Sequence, residues 1–399
     1  MTAHATPRPA PMPALLTLGF RPFFLCAAIW AALAMALWIA ALAGAPVLAT
    51  HFAPADWHAH EFLFGYLGAV IAGFLLTAVP NWVRRPPLAG WPLAALVLCW
   101  LAGRVAVALS AVLPAWLVAA ASLALPVALA GTIGLEIVRA GNRRNLIVLA
   151  ALALFGAGDA VFLWEDAGGA YAAQGYGMRI GLAGAVMLVA IIGGRIVPAF
   201  TRNWLQHRGP GALPAPPMGR FDMVALAGLA VALAGWIAAP HAPAAALLLA
   251  LAGVLHLARL CRWAGHRTGA EPLLWVLHLG YLLLPLGALV IGGQILFPAL
   301  IAEAAARHLW LAGVIGVMTL AVMTRATLGH SGRVLHAGPG TVALYLAVLA
   351  SVGLRLGAGI WPDAAEVLYR LSGALWIAGF AGFAALYAPL LVQAPRPAP

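Results

Sequence analysis

Twelve apolar windows of roughly 20 residues, each long enough to cross a ~30 Å hydrocarbon core, recur near 22–44, 60–82, 91–112, 115–138, 145–164, 178–201, 221–239, 243–261, 272–298, 306–328, 339–358 and 366–391. Of the 399 residues 64% are hydrophobic and 8% charged, which lies outside the soluble globular range. Within a bilayer every backbone N–H and C=O must be paired inside the protein, so only helical bundles and closed barrels remain. The windows lack the alternation that barrel strands require. The sequence predicts an all-α, polytopic integral membrane protein with twelve transmembrane helices. A flexible cytoplasmic tail is expected over 1–14, a single membrane domain over 15–391 and a second cytoplasmic tail over 392–399.

The basic residues orient the chain, and all 22 are arginines. Arg84 and Arg85, then Arg139, Arg143 and Arg144, then Arg202, Arg208 and Arg220, then Arg259, Arg262 and Arg267, then Arg333 mark every second connection. The connections 45–57, 113–114, 165–177 and 240–242 carry none. By the positive-inside rule the arginine-rich loops and both termini face the cytoplasm. The net charge of +11 therefore reports topology, and no nucleic-acid partner is expected. Cys26, Cys99 and Cys261 stand singly, which excludes a disulfide framework and a CxxC site.

Short echoes suggest an internal repeat. Thr77 to Trp82, Ile196 to Trp204 and Met323 to Thr327 end spans 2, 6 and 10 with related Thr, Pro, Asn, Arg and Trp residues. They recur about 120 residues apart, four spans each time, so a threefold arrangement of four-helix arcs is expected.

Ionisable residues inside spans are costly and face the bundle interior, a ligand or one another. Sorted by depth, His58, His60, Glu61 and His308 share an outer shelf, and His256 and His278 an inner one. Arg195 and Arg325 sit near the inner shelf, while Arg104 and Asp159 lie nearer the middle. His330 closes span 10, roughly 33 Å from His308 at a helical rise of 1.5 Å. Two imidazoles at one depth on different helices suit axial ligation of a haem. The pair His256 and His278 is expected to hold haem b, with Arg195 and Arg325 beside its propionates. His58, His60 and His308 are expected to hold a metal ion, with Glu61 as the candidate catalytic carboxylate and His330 as a further candidate metal ligand. One geometric demand follows: residues two apart on a regular helix point about 200° away from each other, so His58 and His60 share a metal only if the chain there is not regular helix. The competing reading is capping, with Asp56 as N-cap, Glu61 complementing the helix dipole and Trp57 in the interfacial belt.

The strings Gly19-Phe20-Arg21-Pro22-Phe23-Phe24, Trp57-His58-Ala59-His60-Glu61 with Phe64-Gly65, Gly73 to Trp82, and Met323 to Arg333 resemble the NnrS family of bacterial membrane proteins over essentially the whole chain. Phe62 stands where that family commonly has Met. The resemblance implies twelve spans in a bacterial inner membrane, haem, copper, and a role in nitric oxide metabolism in denitrification or nitrosative-stress defence, leaning toward an oxidoreductase acting on nitric oxide. It carries His58, His60, His256, His278, His308 and His330 over as candidate ligands, and Arg21, Glu61, Arg195 and Arg325 as pattern residues. Its partners would be nitric oxide, the lipid bilayer and an electron donor the sequence does not name. Two alternatives stand beside it. One is a membrane transporter or delivery protein for copper or haem, for which Pro80, Pro198 and Pro285 supply possible helix breaks. The other is a haem-based sensor or assembly partner of a denitrification enzyme.

Overall fold

Proline near the first turn, where its missing N–H costs nothing, opens six of the long helices, at Pro54, Pro92, Pro243, Pro272, Pro339 and Pro362. The computed structural model describes residues 12–45, 48–209 and 211–393, and no strand occurs among them. Twelve of its helices are long and apolar enough to span a bilayer. They are α1 (Phe20–Leu42), α2 (Pro54–Val83), α3 (Trp91–Ala108), α4 (Ala115–Arg139), α5 (Arg143–Ala167), α6 (Tyr176–Gln206), α7 (Arg220–Ala238), α8 (Pro243–Cys261), α9 (Pro272–Leu296), α10 (Glu303–His330), α11 (Pro339–Ile360) and α12 (Pro362–Val392). Apart from residues 12–14 and 392–393, the expected tails lie outside the described residues.

Burial separates an inner set from an outer ring. The apolar windows of α2, α6 and α10 are 83%, 67% and 67% buried, against 28–44% for every outer helix except α9 at 61%. Around these three, α3, α4 and α5 bridge α2 to α6; α7, α8 and α9 bridge α6 to α10; and α11, α12 and α1 bridge α10 back to α2. This is the arrangement of three four-helix arcs. The ring closes where the Arg21 guanidinium donates to the carbonyls of Leu391 at 3.0 Å and Gln393 at 2.6 Å, satisfying the open C-terminal end of α12. Both described ends of the chain therefore share one face, the terminal face. The starts of α2 and α10 lie on the opposite face.

Helix contacts close to backbone distance at glycine. A Cβ on Gly158 of α5 would lie 2.2 Å from Gly181 N of α6, and one on Gly177 would lie 2.1 Å from Phe162 N, so only glycine permits this crossing.

Two of the three central helices share a local irregularity. In α2 the α-helical turn Pro54–His60 widens into a π-helix over Glu61–Tyr66 before Leu67–Val83 resumes regular geometry. In α10, Glu303–His308 is followed by a π-helix over Leu309–Val317. π segments shift the phase of everything beyond them and are enriched at functional sites. Here each begins next to one of the histidines singled out in the sequence. Asp56 is not the N-cap of α2. Ala53 occupies that position and Pro54 begins the helix, while Asp56 reaches across to accept the Ala173 N–H at 2.6 Å and ties α2 to the 168–175 connection.

Candidate functional site at the opposite face

His58 and His308 come together from α2 and α10. Their rings lie 6.3 Å apart and within 12° of parallel. The His58 ring stacks on Trp38 at 4.4 Å and meets Phe62 at 4.6 Å, which fixes its plane, and its Nδ1 is buried with no partner among the described residues. His308 Nδ1 donates to the Ala304 carbonyl at 2.6 Å. Because a carbonyl only accepts, that bond places the proton on Nδ1 and leaves Nε2 with a free lone pair in the neutral ring.

Both histidines line a cavity of about 320 Å³ enclosed by α1, α2, α6, α10, α11 and α12. Met35, Trp38, Phe62, Leu311 and Trp376 make much of its wall apolar, and Arg307 and Arg355 place two cations at it. Arg307 is already paired with Glu303 one turn away. Arg355 lies over the Tyr369 ring, has a buried Nη1 without a partner, and has no carboxylate partner among the described residues. Sequence reasoning missed both arginines. The signal was there, since each stands toward the face where arginine is otherwise scarce.

His60 and Glu61 are turned out of this cavity. The helical chain from Pro54 sends His60 to the side away from His58, and the π turn beginning at Glu61 carries that carboxylate with it instead of placing it on the face of His58. His60 meets Glu61 Oε1 through Nδ1 and Asp159 Oδ1 through Nε2, both at 3.0 Å. Arg104 donates to the same Glu61 oxygen at 2.5 Å, and Ser122 donates to Asp159 Oδ2 at 3.3 Å. Both His60 nitrogens are thus taken up by carboxylate oxygens, in one cluster of two basic and two acidic side chains. The cluster is buried within the arc of α2 to α5. His60 therefore has no free nitrogen in this arrangement, and the expected trio becomes a pair.

The inner pair is not assembled across an open slot. His256 donates through Nε2 to Ala225 O at 3.1 Å and accepts at Nδ1 from the Tyr281 hydroxyl at 2.9 Å, so neither nitrogen is free. Tyr281 and the Trp263 ring beside it (4.5 Å) lie between His256 and His278. Tyr281 also accepts from Arg259, which is paired with Asp222 at 2.6 Å. His278 donates through Nε2 to Thr201 at 2.9 Å, and its unpartnered Nδ1 faces Gly265, where a Cβ would stand 2.6 Å away.

Arg195 and Arg325 part company as well. Arg195 donates to Asn145 Oδ1 at 2.7 Å, a tie between α6 and α5. Arg325 lies over the Phe200 ring at 4.2 Å and, with His330, lines a second cavity of about 430 Å³ at the terminal face. Phe20, Phe24, Thr77, Asn81 and Trp82 complete much of that wall, so the strings that carry the sequence resemblance converge there. Among the described residues no group of three or more His, Cys, Asp or Glu side chains is placed to hold a metal ion.

A comparison with curated proteins finds no match. A family model described as NnrS protein matches residues 14–395, which includes all twelve helices. The chain belongs to the NnrS family.

Proposed function

We propose that this protein binds a haem b in the opposite-face cavity between His58 and His308, and that it uses the site to bind and convert nitric oxide. The observation that carries the reading is the near-parallel His58–His308 pair at 6.3 Å. His58, whose Nδ1 has no partner among the described residues, and His308, whose Nε2 keeps a free lone pair, would hold the iron. The surroundings fit the group. The cavity falls within the range of about 300–1,000 Å³ usual for cofactor pockets, and Arg355 offers an unpaired buried cation to an anionic substituent. The donor set does not fit copper in the same way. His60 is committed to two carboxylates, and His330 is the single histidine lining its cavity.

A haem held there would supply redox chemistry, and with both imidazoles on the iron nitric oxide would have to displace one of them to coordinate. The chain's own residues do the rest. Ala304 O sets the tautomer of His308, Trp38 and Phe62 hold the plane of His58, and the apolar wall excludes water from the two ring nitrogens. The arginine distribution supports a cytoplasmic terminal face in a bacterial inner membrane, which puts the site near the periplasmic surface, within reach of a gas dissolved in the bilayer. Delivery of copper or haem is less well supported. Transport sites at the membrane midplane favour broken helices, and the helices containing Pro80, Pro198 and Pro285 run through those residues.

The test is the optical spectrum of the purified protein. A Soret band that responds to nitric oxide and is lost in both His58→Ala and His308→Ala, but kept in His278→Ala, is the expected result. Protein purified without haem, or haem lost only in His278→Ala, would overturn the assignment.

A further inference from the structure

Between the two large cavities, where the three central helices face one another, lies a smaller one of about 70 Å³. Its wall includes Val70 of α2, Ala185, Leu188 and Ile192 of α6, and Met318 and Val322 of α10. The single hydroxyl there, on Thr319, is satisfied by the carbonyls of Ile315 at 2.6 Å and Gly316 at 3.1 Å and by the phenol of Tyr66. A water molecule needs two to four polar partners to be held, and an apolar cavity of this kind stays dry and takes up apolar guests such as xenon.

The cavity is not isolated. Phe74, Ile196 and Val322 line both it and the terminal-face cavity, so the two are neighbours through a shared wall. On the other side Thr319 is bonded to Tyr66, whose ring stands edge-on to Trp376 at 6.0 Å, and Trp376 lines the cavity of His58 and His308. One layer of side chains, Tyr66 with Thr319 and Trp376, separates the dry cavity from the histidine pair. Tyr66 ends the π segment of α2 and Thr319 follows the π segment of α10, so the irregular turns set the register of this partition.

We infer that the cavity between α2, α6 and α10 is a docking site for a small uncharged gas molecule, and that it feeds the histidine cavity across the Tyr66–Thr319 partition. The size admits a guest of a few atoms. The lack of free donors, acceptors and charges selects against ions and water. Reading the guest as nitric oxide rests on the function proposed above, whereas the docking site itself does not.

Xenon is the probe, applied under pressure to the full-length protein in crystals or in vitrified nanodiscs. Xenon density among Val70, Ala185 and Val322 is expected in the wild type. It should disappear in Ala185→Leu, which fills the space, and strengthen in Leu188→Ala, which enlarges it. Ordered water in the cavity, or xenon bound elsewhere but absent here, overturns the docking site whether or not haem is present. For the haem-loaded protein, Ala185→Leu should slow bimolecular carbon monoxide rebinding after flash photolysis, when one imidazole is off the iron, by about threefold or more with an unchanged equilibrium spectrum, and Leu188→Ala should not slow it. An unchanged association rate in Ala185→Leu overturns the feeding role. Protein purified without haem counts against the proposed function, and the xenon result still decides the docking site.

Discussion

His60 of α2 and Asp159 of α5 meet at 3.0 Å with both side chains buried, 99 residues apart in sequence. Glu61 holds the other ring nitrogen and Arg104 closes the cluster, so two basic side chains face two carboxylates. Removing one partner from such a set strands a buried charge, which costs about 3–5 kcal/mol, whereas replacing whole pairs with apolar residues is often close to neutral. Asp159→Ala is therefore expected to lower the unfolding midpoint in detergent sharply, and His60→Leu combined with Asp159→Leu to recover much of the loss. Equal midpoints for wild type and Asp159→Ala would mean that the four groups are hydrated and only loosely coupled.

Arg355 is the cation at the histidine cavity with no carboxylate of its own among the described residues, while Arg307 is paired with Glu303. A hydrogen bond to a charged group contributes about 1.5–3 kcal/mol, so Arg355→Gln is expected to weaken haem retention by about tenfold or more. Arg307→Gln should do less, and Arg325→Gln in the other large cavity should leave retention alone. Haem transfer to apomyoglobin measures this order. Fast transfer from Arg325→Gln with slow transfer from Arg355→Gln would move the cofactor to the terminal face.

Depth was legible in the sequence, and direction was not. Counting residues from the ends of the spans placed His58 level with His308, and the echoes at Pro80, Pro198 and Arg325 pointed to the three helices that the structure places at the centre. Those inferences need only helical rise and length. Which way a side chain points depends on phase, and phase is altered by the π segments at Glu61–Tyr66 and Leu309–Val317. The wider turn leaves Gly65 O free to accept from Trp100 at 2.9 Å, a tertiary contact that a single sequence does not announce. The saturation of His256 by Tyr281 and Ala225 was hidden for the same reason. Its partners come from α9 and α7, and depth alone does not distinguish a free imidazole from a bonded one.

The crossing of α5 and α6 tests the packing directly. A Cβ on Gly177 would overlap Phe162 N at 2.1 Å, and backbone does not yield as a flexible side chain does. Gly177→Ala forces the helices apart, and overpacking of this kind costs about 1–3 kcal/mol or more. Reduced yield of folded protein and a lower melting temperature are expected. By contrast, Gly131→Ala should behave as wild type, because nothing lies within 4 Å of its Cβ position and Ala is the better helix former.

The second buried cluster separates structural from ligand roles for the inner histidines. Asp222 accepts from Arg259 Nε at 2.6 Å, Arg259 donates to Tyr281 and to Ala190 O, and Tyr281 donates to His256. The four side chains link α7, α8 and α9, and the Ala190 carbonyl adds α6. Asp222→Ala leaves the Arg259 guanidinium without its buried anion and is expected to destabilise the fold by about 3–5 kcal/mol. His256→Phe removes the acceptor of the buried Tyr281 hydroxyl and is expected to cost about 1–3 kcal/mol. Neither change touches the cavity of His58 and His308, so the folded fraction of each variant should carry haem in the wild-type ratio. Pyridine haemochrome content normalised to folded monomer, taken from the size-exclusion peak, makes the comparison. A His256→Phe protein that elutes as wild type, melts as wild type and lacks haem would return the haem to the inner shelf.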